Sequence, residues 1–115
     1  MAIFHLAAKV VSRKSGQSVV AKAAYNAREE LTEERTGEVK DYRRAQGLLF
    51  SGIYTPAHAP AWAQDRAKLW NAADRAERHP AATLAREYEV ALPHELTDEQ
   101  RRFLVQDFIR ENFTR

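Results

Sequence analysis

The sequence contains no cysteine. That absence removes disulfide frameworks, thiolate zinc sites and cysteine nucleophiles together, and it suits a reducing cytoplasm. Long apolar runs are also missing. The opening MAIFHLAAKVVSRK is briefly apolar, but His5 and Lys9 interrupt it and no basic segment precedes it. No other stretch approaches the ~20 apolar residues of a membrane span, so the expectation is a soluble, unexported protein without membrane insertion. A strong charge of one sign is lacking: 18 Lys+Arg against 16 Asp+Glu gives +2, with a sequence pI near 9.1. This balance permits DNA binding without arguing for it. No Walker loop, GxGxxG, GxSxG or zinc-ribbon pattern occurs, which leaves nucleotide hydrolysis, dinucleotide chemistry and serine hydrolysis without support. His5, His58, His79 and His94 lie far apart, with no HxH or HxxxH spacing, so no metal site can be read from them. No repeat or low-complexity segment is present.

What is present fits one hydrophobic core. At 115 residues and 44% hydrophobic content, the chain is one domain or one incomplete domain. From Ile3 to Val11 the pattern partly alternates, with Phe4, Leu6, Ala8 and Val10 on one face and His5, Ala7 and Lys9 on the other, which predicts a half-buried strand. After the polar Arg13-Lys14-Ser15-Gly16, Ser18 caps a helix running through Val19, Val20, Ala23, Ala24, Ala27 and Leu31 to about Glu34. Thr36-Gly37 breaks this pattern. Glu38 to Tyr42 is short and mixed, and Gly47 to Tyr54 is a short strand or an irregular loop. Pro60 suits the first turn of a second helix with an apolar stripe of Trp62, Leu69, Trp70, Ala73 and Ala76, ending before Pro80. Leu84 to Leu92 alternates as a strand that Pro93 stops, with Tyr88, Val90 and Leu92 on one face and Glu87, Glu89 and Ala91 on the other. Thr97 with Gln100 makes a capping box for a last helix whose apolar positions are Phe103, Leu104, Phe108 and Ile109. Two strands and a hairpin give that helix little sheet to cover, so more chain is expected after Arg115.

Several residues are placed where chemistry is possible. At 100° per residue, Tyr25 lies opposite the apolar direction of its helix, among Ala21, Lys22, Arg28 and Glu29. A tyrosine there is either a surface residue lying along its neighbours or a phenol presented into a cleft. Periodicity alone favours the surface. Lys22 and Arg28 are near enough to meet phosphate oxygens, and the Arg13 to Ser18 loop, at the positive end of the helix dipole, is a candidate phosphate contact or an ordinary solvated turn. Glu87 and Glu89 share a strand face. That is unremarkable in solvent, whereas a buried carboxylate beside a metal-bound imidazole would orient the ring.

The opening MAIFHLAAKVVSRKSGQSVVAKAAYNARE resembles the start of the MobA/MobL (MobQ-type) relaxases, also found at the N-terminus of TraA-type conjugal transfer proteins. Two further blocks are similar to that family: Thr36-Gly-Glu-Val-Lys-Asp-Tyr42 and Arg86-Glu-Tyr-Glu-Val-Ala-Leu-Pro-His-Glu-Leu-Thr97. The resemblance implies a two-layer α+β relaxase fold of the HUH endonuclease-like kind, with an antiparallel sheet packed by helices. It implies nicking and strand transfer at a plasmid origin of transfer during conjugation, through a 5′-phosphotyrosine on Tyr25. Glu87, or alternatively Glu89, is then the acid that orients a metal-ligand histidine, and Arg13, Lys14, Lys22 and Arg28 are the DNA contacts. The implied partners are single-stranded origin DNA and the relaxosome and type IV secretion proteins of a bacterial cytoplasm. The implied cofactor is a divalent metal, Mg or Mn. The family's HxH strand is absent from residues 1–115, so the expectation is the N-terminal portion of a nicking domain, truncated before its metal motif and inactive alone. A non-catalytic single-stranded DNA-binding accessory module is the alternative.

Overall fold

The computed structural model describes residues 6–114. Strand β1 (Leu6–Ser12) pairs antiparallel with β4 (Thr83–Val90), and β2 (Glu30–Thr32) pairs antiparallel with β3 (Val39–Asp41). Helix α1 (Val19–Ala27) lies between β1 and β2 in sequence and packs against α2 (Arg66–Ala76). Helix α3 (Asp98–Asn112) closes the described chain. Ile3, Phe4 and His5, where the first strand is expected to begin, lie outside the described residues.

The core gathers on the apolar side of α1. Val19, Val20, Ala23 and Ala24 meet Val11 of β1, Leu31 of β2, and Ala82 and Leu84 at the start of β4, with Trp70 packed against the cluster. Small residues on α1 let the helix sit close to the strands. In β1 the buried residue is Val11, while Leu6 and Val10 are about half exposed. This reverses the expected face. Leu6, Ala8 and Val10 pair with Val90, Tyr88 and Arg86 on one side, whereas Ala7, Lys9 and Val11 pair with Glu89, Glu87 and Ala85 on the side that meets α1.

Helix α1 also ends earlier than the periodicity predicts. Arg28 takes the left-handed conformation (φ 55, ψ 47), and its amide and that of Glu29 return to the Ala24 and Tyr25 carbonyls, which stops the helix. Leu31 keeps its buried place, but on a strand. The Thr36-Gly37 break is the turn of the β2–β3 hairpin, with Gly37 at φ 76. Residues 47–54 form the irregular loop of the two options. Pro60 opens a 3-10 turn, Ala61–Gln64, and α2 proper starts after it, capped by the Asp65 carboxylate accepting from the Lys68 amide at 3.0 Å. Trp62 is therefore half exposed in the turn. The buried side of α2 is Ala67, Trp70, Asn71 and Asp74, an i, i+3, i+4, i+7 row with two polar members.

Those polar members are satisfied. The Asn71 side chain accepts from the Glu34 amide at 2.9 Å and donates to the Thr32 and Ala67 carbonyls, each at 2.9 Å, which locks the hairpin to α2. In α3 the expected capping box forms: the Gln100 amide donates to Thr97 Oγ1 at 3.1 Å, and the Thr97 amide to Gln100 Oε1 at 2.9 Å. No described residue of α3 is buried, and Phe103 is 70% exposed. Its anchors are few: Gln106 donates to the Tyr54 hydroxyl, Arg102 lies over Phe50, and Phe113 meets Tyr88.

Candidate active site

Tyr25 sits near the C-terminal end of α1, opposite the buried Ala23, Ala24 and Ala27, and is 46% exposed. Helical periodicity thus predicts its placement. The ring is nevertheless held on two sides. The Tyr42 ring stands edge-on to it, with centroids 5.4 Å apart, and the Arg28 guanidinium carbon lies 4.4 Å from its centroid. Among the described residues the phenol hydroxyl has no hydrogen-bond partner.

Within one turn of Tyr25, Asn26 and Lys22 hold Glu87 across from β4. Asn26 Nδ2 donates to Glu87 Oε2 at 3.1 Å, and Lys22 Nζ lies 3.2 Å from Oε1. The Asn26 hydrogen bond lowers the Glu87 pKa; partial burial opposes this, and the Lys22 and Lys9 cations add to the lowering. The net direction is below the ordinary carboxyl value, which favours Glu87 as an ionised acceptor. Glu89 shares its strand face, opposite Ala7, but is exposed. Of the two carboxylates, Glu87 is the one that the fold brings to the helix carrying Tyr25.

The four cations expected to face DNA have different surroundings. Arg13 points inward: Nη2 donates to the Asp74 carboxylate and carbonyl, both at 2.9 Å, and Nη1 to the Glu77 and His79 carbonyls at 2.5 and 3.3 Å. It closes the C-terminal end of α2, where a cation meets unpaired carbonyls. Both Nη groups are committed to the protein, and Nε is buried without a hydrogen-bond partner among the described residues, so the guanidinium faces the protein interior and not the outer face where a phosphate contact was expected. The N-terminus of α1 is occupied too. Ser18 Oγ caps the Ala21 amide at 3.0 Å and donates to the carboxylate of Glu33, which is buried there. A phosphate at this end would meet that anion, which works against the expected helix-dipole contact. Lys14 stands exposed on the turn Arg13–Ser15, with no ion pair among the described residues. Lys22 is about one-third exposed and shared with Glu87. Arg28 is folded over Tyr25.

Sequence reasoning missed Tyr42, Asn26 and Glu33. Tyr42 follows β3, where its amide bonds to the Glu29 carbonyl at 3.0 Å as the rung beyond the Glu30–Asp41 pair, and this brings its ring against Tyr25 in a contact that no local pattern announces. Among the described residues no group of three or more His, Cys, Asp or Glu stands together in a way that could hold a metal ion. His94 is almost fully exposed, and the His79 ring accepts from the Ala81 amide. The described residues do not make up the metal site that the family resemblance implies, and His5 lies outside them. No described helix is long and apolar enough to cross a membrane.

A two-layer α+β unit with an exposed tyrosine on the helix after its first strand defines a class, and comparison with known proteins specifies it. The chain superimposes with a TM-score of 0.93 on a solved structure described as "Molecular Basis of Vancomycin Resistance Transfer in Staphylococcus aureus", at 31% identity over 98% of this chain and 58% of that one. The fold is that of a relaxase. The MobA/MobL family model matches residues 17–115, and the chain belongs to that family. It is 46% identical to the mobilization protein MobL of Acidithiobacillus ferridurans over 110 residues, covering 96% of this chain and 28% of MobL. It is 41% identical to the conjugal transfer protein TraA of Rhizobium radiobacter over 122 residues, covering 97% of this chain and 11% of TraA. The chain thus spans only a minor part of these relatives.

Proposed function

We propose that this chain is the nucleophile-bearing N-terminal part of a conjugative relaxase, which nicks one DNA strand at a plasmid origin of transfer. The observation that carries the proposal is the placement of Tyr25: a half-exposed phenol on the family-matched helix, held by Tyr42 and Arg28, on the same helix as the Asn26 and Lys22 side chains that hold Glu87. In the proposed step the Tyr25 phenol oxygen bonds to phosphorus in line while the P–O3′ bond breaks. The electron pair stays on O3′, which takes up a proton as the phenol gives one up, leaving a 5′-phosphotyrosine and a free 3′-OH. One phosphate ester replaces another, so a 3′-OH can reverse the step and reseal the strand.

Lys14 and Lys22 supply positive charge for phosphates on either side of the α1 face, a role that positions DNA without reading its sequence. Glu87 has lone pairs beyond those used by Asn26 and Lys22, and is the proposed acceptor for an imidazole N–H. A divalent metal, if the parent enzyme uses one, would polarise the phosphate. Single-stranded origin DNA and the proteins of conjugal transfer are the proposed partners.

The test exchanges residues 1–115 into MobL of A. ferridurans over the matched segment and incubates the product with labelled single-stranded origin DNA and Mn²⁺. A denaturant-resistant adduct that Tyr25→Phe abolishes supports the proposal. An adduct that survives Tyr25→Phe sinks it. No adduct with the exchanged protein, beside an adduct with unmodified MobL, favours a non-catalytic single-stranded DNA-binding module.

A further inference from the structure

We infer that Arg28 and Tyr42 form a bracket that fixes the direction of the Tyr25 phenol, so that Arg28 is a positioning residue and not a phosphate contact. The inference rests on the reading of Tyr25 as the nucleophile. Three observations converge on it.

The first is the backbone. Arg28 is the one residue other than glycine with a positive φ among those described. Glycine takes this left-handed conformation freely, whereas a side chain there is unfavourable and tends to persist where its surroundings require it. The second is where the side chain goes. Nη1 donates to the Tyr25 carbonyl at 2.5 Å, and Nε and Nη2 both reach the Gln46 carbonyl, at 3.2 and 3.0 Å. One side chain thus ties the residue carrying the phenol to the segment after β3. With its face over the Tyr25 ring at 4.4 Å, the guanidinium has most of its recognition surface already in use. The third is the opposite support. Tyr42 meets the ring edge-on at 89°, and is itself fixed by its amide bond to the Glu29 carbonyl and by the Ala45 amide donating to its own carbonyl at 3.0 Å.

A phenol on an exposed helix face ordinarily samples several side-chain rotamers. A cation over its face and a ring at its edge leave one direction, and in-line attack on phosphorus needs one direction. A cation whose role was to grip phosphate would instead extend into solvent, as Lys14 does.

Arg28→Gly separates the two roles, because glycine relieves the backbone while deleting the side chain. In the 115-residue chain we expect its thermal midpoint to hold or rise. Tyr25 ring proton resonances, assigned by NMR, should move toward random-coil shifts, and affinity for a single-stranded oligonucleotide should stay within about twofold, with an unchanged salt slope. Tyr42→Phe should leave the Tyr25 resonances in place, and Tyr42→Ala should move them. In the MobL exchange protein, the adduct rate at saturating DNA should fall about tenfold for Arg28→Gly. Arg28→Lys should not restore it, since an ammonium cannot reproduce the planar contact.

Unmoved Tyr25 resonances in Arg28→Gly would overturn the bracket. So would a loss of DNA affinity and salt slope that Arg28→Lys rescues, since that pattern marks a phosphate contact. The ring resonances need no chemistry, so they decide the bracket even if Tyr25→Phe still forms the adduct and the nicking proposal fails.

Discussion

The two ends of helix α1 contrast sharply in how they treat charge and exposure. At the N-terminal end, Ser18 caps the helix over the buried Glu33, and Arg35 links Glu33 to the buried Asp74, which in turn holds Arg13. Nearly every polar group there is spent inside the protein. At the C-terminal end, Tyr25 keeps about half its surface in solvent, with a hydroxyl left unbonded among the described residues. A short helix thus has one end whose polar groups hold the domain together and one that presents a half-exposed phenol. Substitutions at the two ends should separate stability from chemistry.

The sharpest way to break this contrast is Asp74→Ala. It strips the partner from two arginines, and it should cost about 3 kcal/mol, the low end for a broken buried pair because Arg35 is half exposed. Urea unfolding measures this, and a cost below about 0.5 kcal/mol, the range of ordinary surface changes, would put the network outside the stabilising machinery. Acid should act on the same end. Burial by itself raises the Glu33 pKa, but the Ser18 and Thr36 hydroxyls and the Lys40 and Arg35 cations more than offset it, and the net direction is down. A depressed carboxyl contributes stability that is present above its ordinary value of 4.5 and is lost as pH falls through its folded-state value. Thermal midpoints should therefore drop below that pH, and Glu33→Gln should flatten the drop. An equally steep decline in Glu33→Gln would assign it to other groups, such as Glu87.

Smaller effects are expected away from α1. Thr97→Ala removes half of the α3 capping box and should cost about 1 kcal/mol, read as faster hydrogen exchange at the Gln100 and Arg101 amides. The smallest belongs to the Tyr25 end: Tyr25→Phe should change unfolding stability by less than about 0.5 kcal/mol, because the hydroxyl has no hydrogen-bond partner among the described residues. A large loss would make Tyr25 a structural residue and erase the contrast.

Much of the fold is written locally. The capping box of α3 depends on residues three apart, the β4 alternation on neighbours, and the exposure of Tyr25 on the phase of one helix. The rest depends on contacts that cross the chain. Arg13 and Asp74 are 61 residues apart, and nothing near Arg13 marks it as inward-facing. Leu31 continues the helical phase of α1 by coincidence, which hid the stop at Arg28, where no glycine signals a left-handed cap. The row Ala67, Trp70, Asn71, Asp74 held one usable sign: two polar residues at core spacing beside a tryptophan. The face of Leu6, Val10 and Tyr88 reads as a core face by alternation, yet each stays about half exposed and Phe113 covers only part of it, at Tyr88. At the candidate site, Tyr25 and Glu87 are named by the family resemblance alone, whereas their neighbours Tyr42 and Asn26 emerge only from how the hairpin and β4 fold onto α1.

The central claim is tested most directly by locating the covalent bond. Tryptic digestion of an adduct formed by the MobL exchange protein should place the nucleotide mass on the peptide spanning residues 23–28, Ala-Ala-Tyr-Asn-Ala-Arg, as an ester of Tyr25. The same mass on the peptide 41–43, which carries Tyr42, or on any other tyrosine would contradict the account.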